Sequence, residues 1–155
     1  MPLPLEGIRV ADFSRVLAGP YCTMMMGDLG ADVVKVESPE GDDTRRWGPP
    51  YVERESAYYL ACNRNKRSVV LDLGSVEGRE VARKLALSSD VVVENFRLGT
   101  MEKWGLGYEE LAKEKPGLVY CSISGYGRTG PDADLPGYDY VIQGAGGIMS
   151  VTGEA

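Results

Sequence analysis

The sequence predicts an α/β fold, a Rossmann-like doubly wound parallel sheet. Two observations predict it. Short β-branched runs alternate with helix-like segments along the chain. One of those runs, Asp90 to Glu94 (DVVVE), lacks polar alternation, as expected of a strand buried on both faces of a parallel sheet. A chain of 155 residues, 43% of them hydrophobic, is about one domain long and has the side chains to build such a core.

The elements follow in order. Ile8 to Phe13 reads as the first strand. Gly19 to Gly30 reads as a helix, with Pro20 in its first turn and Met24, Met25 and Leu29 on a core face. Asp32 to Glu37 (DVVKVE) is a second strand. Ser38 to Glu55, rich in Pro, Gly and charge, reads as a long loop of the kind that carries function. Ser68 to Leu73 is a third strand. Ser75 then caps a helix from Val76 to about Ser88, with Val81, Ala82, Leu85 and Ala86 in one stripe. After the Asp90–Glu94 strand come a short helix from Tyr108 to Lys115, stopped by Pro116 and Gly117, and a fifth strand from Leu118 to Ser124. A Gly-rich turn leads to a helix from about Tyr138 to Ser150. No internal repeat or linker interrupts the chain, so residues 1–155 read as one segment of one domain, and the ending after Gly153-Glu154-Ala155 reads as a cut.

Composition excludes several chemistries. The chain has no histidine, so it cannot supply Ser-His-Asp or Cys-His catalysis or a His-ligated metal site. Cys22, Cys62 and Cys121 are odd in number and widely spaced, which argues for free thiols in a reducing cytoplasm rather than disulfides or a zinc ribbon. A net charge of −6 argues against nonspecific nucleic-acid binding. No apolar run approaches the ~18 residues of a membrane span, and the start of the chain lacks the pattern of a signal peptide. Twenty glycines are well above the usual share of about 7%, which implies many tight turns or close backbone approaches.

Gly125-Tyr126-Gly127-Arg128-Thr129-Gly130 matches GxGxxG, but Pro131 to Pro136 makes a poor helix start, so it reads as a glycine loop rather than an NAD site. Asn95, Phe96 and Arg97 follow the fourth strand, at the sheet edge where ligands sit; they offer an amide, a stacking face and a phosphate-matching fork. A capped turn with an exposed arginine would leave the same pattern. Arg64, Lys66 and Arg67 either attract phosphate or guard a strand edge. Arg45 and Arg46 either contact a phosphate or pair with Asp42 and Asp43. Met24-Met25-Met26 reads as core filler. Gly144, Gly146 and Gly147 within a helix imply that a backbone or ligand packs close there. Asp12, ending the first strand, and Asp139 are candidate polar groups, neither with a visible partner.

Six strings stand in order: Leu5 to Val10 (LEGIRV), Ala18-Gly19-Pro20, Leu29 to Glu37 (LGADVVKVE), Asn65 to Ser68 (NKRS), Glu94 to Arg97 (ENFR) and Gly137-Tyr138-Asp139. Together they resemble those of the family III coenzyme A transferases (the CaiB/BaiF family). The chain resembles the N-terminal part of that family from Leu5 to Gly153. The resemblance implies coenzyme A, without metal, bound on the Rossmann-like large domain of an interlocked homodimer. It implies CoA contacts at Val16, Leu17 and Ala18, at Leu71, Asp72, Leu73 and Gly74, at Asn95, Phe96 and Arg97, and at Lys103. Tyr138 and Asp139 are implied to lie near the thioester. Ser38, Gly74 and Pro136 replace basic residues of some relatives, so phosphate contacts would come from Arg45, Arg46 or Arg97. The nucleophile of the family is an aspartate, expected after Ala155, so the segment alone is expected to be inactive. Within the superfamily, an α-methylacyl-CoA racemase is disfavoured because Tyr138 stands where the catalytic histidine belongs. A non-catalytic CoA-binding subunit and an NAD-dependent oxidoreductase are the rivals of other classes. The acyl donor and acceptor are not legible.

Overall fold

The structure, a computed structural model, describes residues 1–154. It divides into two compact units, Met1–Ile123 and a second that begins at Ser124.

The first unit is the parallel sheet. Strands β1 (Arg9–Asp12), β2 (Asp32–Glu37), β5 (Lys66–Val70), β6 (Val91–Glu94) and β7 (Val119–Ser122) lie side by side in the order β5-β2-β1-β6-β7. Every pairing is parallel; Val10 stands beside Val33 and Val91, and Asp12 beside Lys35 and Val93. Strand neighbours point to opposite faces, so paired apolar residues in one strand feed two cores. Ala11, Val36 and Val92 join Ala82, Ala86, Met101, Leu106 and Leu111 in one cluster. Val10, Val33 and Val93 join Ala31 in the other, with Met26 and Cys121 packed against it. That two-sided burial explains why β6 needs no polar alternation.

Packed around the sheet are helices α1 (Ala18–Asp28), α3 (Val76–Leu87), α4 (Thr100–Lys103) and α5 (Tyr108–Glu114), besides a shorter one within residues 38–63. Ser75 caps α3 as expected, its Oγ accepting from the Gly78 amide at 3.0 Å. Val81 departs from the expected stripe and is exposed, while Ala82 and Ala86 are fully buried. Pro20 is tolerated in the first turn of α1, where its missing N–H has no intrahelical partner.

The stretch expected to be a long loop is ordered in pieces. It holds a 3-10 turn (Asp43–Arg46) and a two-residue hairpin of β3 (Tyr51–Val52) and β4 (Glu55–Ser56), followed by helix α2 (Ala57–Asn63). The seven-residue α2 and the four-residue α4 are too short for a helical period to show in sequence.

In the second unit, helix α6 (Asp139–Ala145) ends at Gly146, and Gly147 at φ +79° turns the chain into a 3-10 turn (Ile148–Ser150). The single helix expected to Ser150 is therefore broken. Within the chain, a Cβ on Gly146 would lie 3.0 Å from the Ile142 carbonyl oxygen, and one on Gly125 would lie 2.5 Å from the Cα of Gly137. The GxGxxG string follows β7, the last strand of the sheet, and leads into turns rather than a helix. It lacks the strand–turn–helix setting of a pyrophosphate loop.

Candidate functional site

Strand order reverses at β1, which lies between β2 and β6. In open parallel sheets the crevice beyond the carboxyl ends of such strands is where ligands bind. Here that edge carries a cavity of about 330 Å³. Phe13, Ser14 and Arg15 enter its wall from β1, Lys35 to Asp42 from β2 and its following turn, and Leu71 to Gly74 from the β5–α3 connection; Phe96 and Trp104 close it. Phe96 and Trp104 meet edge-on with ring centres 5.2 Å apart, and the Arg15 guanidinium lies 5.6 Å from the Phe96 ring. Aromatic faces and a cation on one wall suit a nucleotide-like ligand.

The turn after β1 is held at each residue. Ser14 N–H donates to Asp12 Oδ1 at 3.0 Å, and the Ser14 carbonyl accepts from Lys35 Nζ at 2.9 Å. Arg15 N–H donates to Asn95 Oδ1 at 2.9 Å, and Asn95 Nδ2 donates back to the Arg15 carbonyl at 2.7 Å. Val16 N–H donates to Asp42 Oδ2 at 3.3 Å. Val16 itself has φ +70°, a left-handed conformation that costs a β-branched residue about 1–3 kcal/mol. The following Gly19 is required by contact: a Cβ there would lie 2.1 Å from the Ser14 Cβ.

Beneath the turn lie buried ion pairs. Lys35 and Asp42, both about 1% exposed at the side chain, meet at 2.9 Å. Burial works to raise the Asp42 carboxyl, but the Lys35 charge and its hydrogen bond, with donors from Thr44, hold it below the ordinary carboxylate range. Glu37 accepts from Arg45, Ser68, Tyr59 and the Asp42 amide. Burial again works upward, and those donors outweigh it, bringing Glu37 down to about 2. Glu37 closes β2, where dinucleotide-binding folds place the acid that reads a ribose. Here its oxygens are filled by internal donors.

The basic residues therefore have structural partners. Arg45 is paired with Glu37 and Glu55 and stacks on Tyr59, and Arg46 lies 3.6 Å from Asp43. Of the two alternatives the sequence leaves open for these arginines, pairing describes Arg45, though with Glu37 and Glu55 in place of Asp42 and Asp43, and Arg46 makes only an exposed pair with Asp43. Arg64 pairs with Asp28 and Arg67 with Asp32, while Lys66 is buried on Asp12, the Pro20 carbonyl and Asn63. Lys66 is therefore an internal structural charge, whereas Arg64 and Arg67 are exposed, Arg67 on the edge strand β5, as a solvated edge guard would be. Asp12, without a visible partner in sequence, accepts from Lys66, Thr23 and Ser14.

The structure brings Leu71, Asp72, Leu73, Gly74 and Phe96 onto the cavity wall; Asn95 and the Val16–Ala18 segment adjoin it. Arg97 and Lys103 are exposed and do not line it. Tyr138 and Asp139 are exposed in the second unit, where Asp139 accepts from Gln143 at 2.6 Å. Sequence reasoning missed Phe13, Arg15, Lys35, Asp42 and Trp104. One signal was available: a lysine inside the apolar run DVVKVE implies a buried partner. Among the described residues no group of three His, Cys, Asp or Glu could hold a metal ion, and no helix is long and apolar enough to cross a membrane.

Comparison with known proteins converges on one family. CoA-transferase family III matches residues 5–155. The chain is 55% identical to the succinate–glutarate CoA-transferase of Agrobacterium fabrum, over 97% of this chain and 40% of that protein. It is 50% identical to the human succinyl-CoA:glutarate CoA-transferase, over 97% of this chain and 34% of that protein. The crystal structure of a CAIB/BAIF family protein from Brucella suis superposes with a TM-score of 0.95 at 55% identity, covering 99% of this chain and 42% of that one. The chain thus spans about 40% of the length of the relatives it matches.

Proposed function

Since this chain belongs to CoA-transferase family III, we propose that it is the N-terminal, CoA-binding portion of an enzyme that moves coenzyme A from an acyl-CoA thioester to a free carboxylic acid. The observation that carries this reading is the cavity at the strand-order reversal, walled by Arg15, Leu71 to Gly74 and Phe96. It would receive the nucleotide end of CoA, with Val16, Leu17 and Ala18 along the ligand and Arg97 and Lys103 reaching it from outside the wall. Arg15 takes the phosphate role in place of Arg45 and Arg46. Relatives named for succinate, glutarate, malate and mesaconate support short dicarboxylic acids as the substrate class.

The reaction calls for no histidine. The nucleophile is an aspartate expected beyond Ala155, outside the described residues. It attacks the thioester carbonyl, forming a mixed anhydride and releasing CoA thiolate. The thiolate attacks the aspartyl carbonyl, forming an enzyme thioester and freeing the donor acid. The acceptor carboxylate displaces CoA to form a second anhydride, and the thiolate then takes the new acyl group. A carboxylate is already ionised at neutral pH, so no imidazole is needed to activate it. Tyr138 and Asp139 belong near the thioester in this scheme, and the assembly is an interlocked homodimer in a reducing cytoplasm.

The test uses the full-length protein with succinyl-CoA and glutarate, following glutaryl-CoA by mass spectrometry. Glutaryl-CoA should accumulate with equimolar loss of succinyl-CoA. Exchange of an α-proton with deuterated water in the absence of any acceptor acid would instead indicate a racemase. Tight CoA binding with no transfer to any short dicarboxylic acid would indicate a binding subunit.

A further inference from the structure

We propose that Asn95 and the buried Lys35–Asp42 pair are positioning residues that hold the Ser14–Arg15–Val16 turn in its ligand-binding shape. The inference rests on the CoA-binding reading above and deepens it.

The resemblance to the family makes Asn95 a direct CoA contact. The geometry gives it a different task. Its carboxamide bonds both the N–H and the carbonyl of Arg15, 80 residues away in sequence, at 2.9 and 2.7 Å. This ties the end of β6 to the end of β1 across the strand-order reversal. Each end of the carboxamide is committed to the Arg15 backbone, with one N–H and one oxygen lone pair to spare, which gives Asn95 a role through the turn. From the other side, Lys35 Nζ holds the Ser14 carbonyl and Asp42 Oδ2 holds the Val16 amide. The two charged groups also neutralise each other at 2.9 Å.

These bonds explain how a valine stays at φ +70°. A β-branched residue leaves the left-handed region unless its surroundings over-determine it. Three anchors, on Ser14, Arg15 and Val16, do so. Releasing any one lets Val16 relax, which would rotate the peptide on either side of it and swing Arg15 off the Phe96 face. A ligand would then have to re-form the turn, and its affinity would fall by the population of the competent shape.

The experiment is a double-mutant cycle in the full-length protein, read as CoA affinity by calorimetry and as KM against kcat for acyl-CoA, with circular dichroism as the check on folding. Wild-type protein comes first: if it fails to bind CoA, the functional reading fails, independently of the clamp. Given binding, Asn95→Ala should weaken CoA about tenfold, mostly in KM, with unchanged secondary structure. Glycine occupies the left-handed region without penalty. In a Val16→Gly background the same Asn95→Ala change should therefore cost less than about threefold. Equal losses in both backgrounds would make Asn95 a direct ligand contact and overturn the clamp, as would an Asn95→Ala variant that binds like wild type. Asn95→Asp keeps the volume and the acceptor for the Arg15 amide but sets a carboxylate oxygen against the Arg15 carbonyl, and should weaken CoA at least as much as Asn95→Ala. It is the variant to read should Asn95→Ala fail to fold, and an Asn95→Asp protein binding like wild type would overturn the role of the back-donated bond. For the ion pair, Lys35→Met combined with Asp42→Leu keeps the volume without stranding a charge. A folded double variant with weakened CoA binding is expected; a folded one with wild-type affinity would remove the pair from the proposal.

Discussion

Glu37 shows how one buried carboxylate organises the second strand's exit. Its side chain is about 2% exposed and takes hydrogen bonds from Arg45, Ser68, Tyr59 and the Asp42 amide. Its carboxyl lies at about 2, below the ordinary glutamate value of 4.5. A depressed carboxylate contributes stability that is fully present above its unfolded value and is lost as pH falls through its folded value. Stability should therefore drop between about pH 4.5 and 2, by roughly 3 kcal/mol from this group. Denaturant titrations across that range should show the drop, and Glu37→Gln should flatten it while lowering stability at neutral pH. Gly19 gives a second test at the residue scale. A methyl at that position meets Ser14 at 2.1 Å, so Gly19→Ala must displace the turn or the start of α1. It should cost about 1–3 kcal/mol in thermal unfolding and weaken CoA binding in the full-length protein.

Elements were legible where their signal is local. The Ser75 cap and the alanines of α3 follow from a polar start and a helical period, and Ser75→Ala should lower stability by about 1 kcal/mol, seen as a reduced Tm. Strand β2 matches its expected bounds, whereas β5 begins at Lys66, two residues earlier than its apolar run. The reason is pairing: Lys66 stands beside Val33 in the ladder and buries its amine on Asp12, a contact 54 residues away. Helix α2 and the β3–β4 hairpin were hidden in and beside a stretch whose composition reads as loop. Their order comes from contacts made across the chain: Ser56 Oγ donates to the Trp47 carbonyl, and Tyr59 is fastened to Glu37.

At the scale of the whole molecule, the second unit exposes Tyr138, Tyr140, Ile148, Met149 and Val151, and the first exposes Val70 and Val119 on its edge strands. Exposed apolar side chains of this size call for cover. The 155-residue chain expressed alone should self-associate in light scattering; a monodisperse, cooperatively melting monomer would contradict that. The strand order also makes a discriminating prediction. Because the GxGxxG string follows β7 instead of β1, and Glu37 is filled by internal donors, the full-length protein should bind CoA and not NAD by calorimetry. The sequence by itself determined the sheet, its two-sided core, the capped helix α3 and the family, because periodicity, β-branching and ordered short strings are local properties of a chain. The family resemblance also singled out Leu71 to Gly74 and Phe96, which line the cavity at the strand-order reversal. Only the tertiary structure decided which charges are free. Arg45, Lys66, Lys35 and Asp12 each read as available in sequence or went unremarked, and each has a partner set by which strands lie side by side. Arg15, unremarked in sequence, stands at the cavity wall, where the Asn95 amide just after β6 grips its backbone on both sides. Partners so far apart along the chain leave no periodic trace in it, and burial alone, by demanding that every enclosed charge and amide be satisfied, selects them.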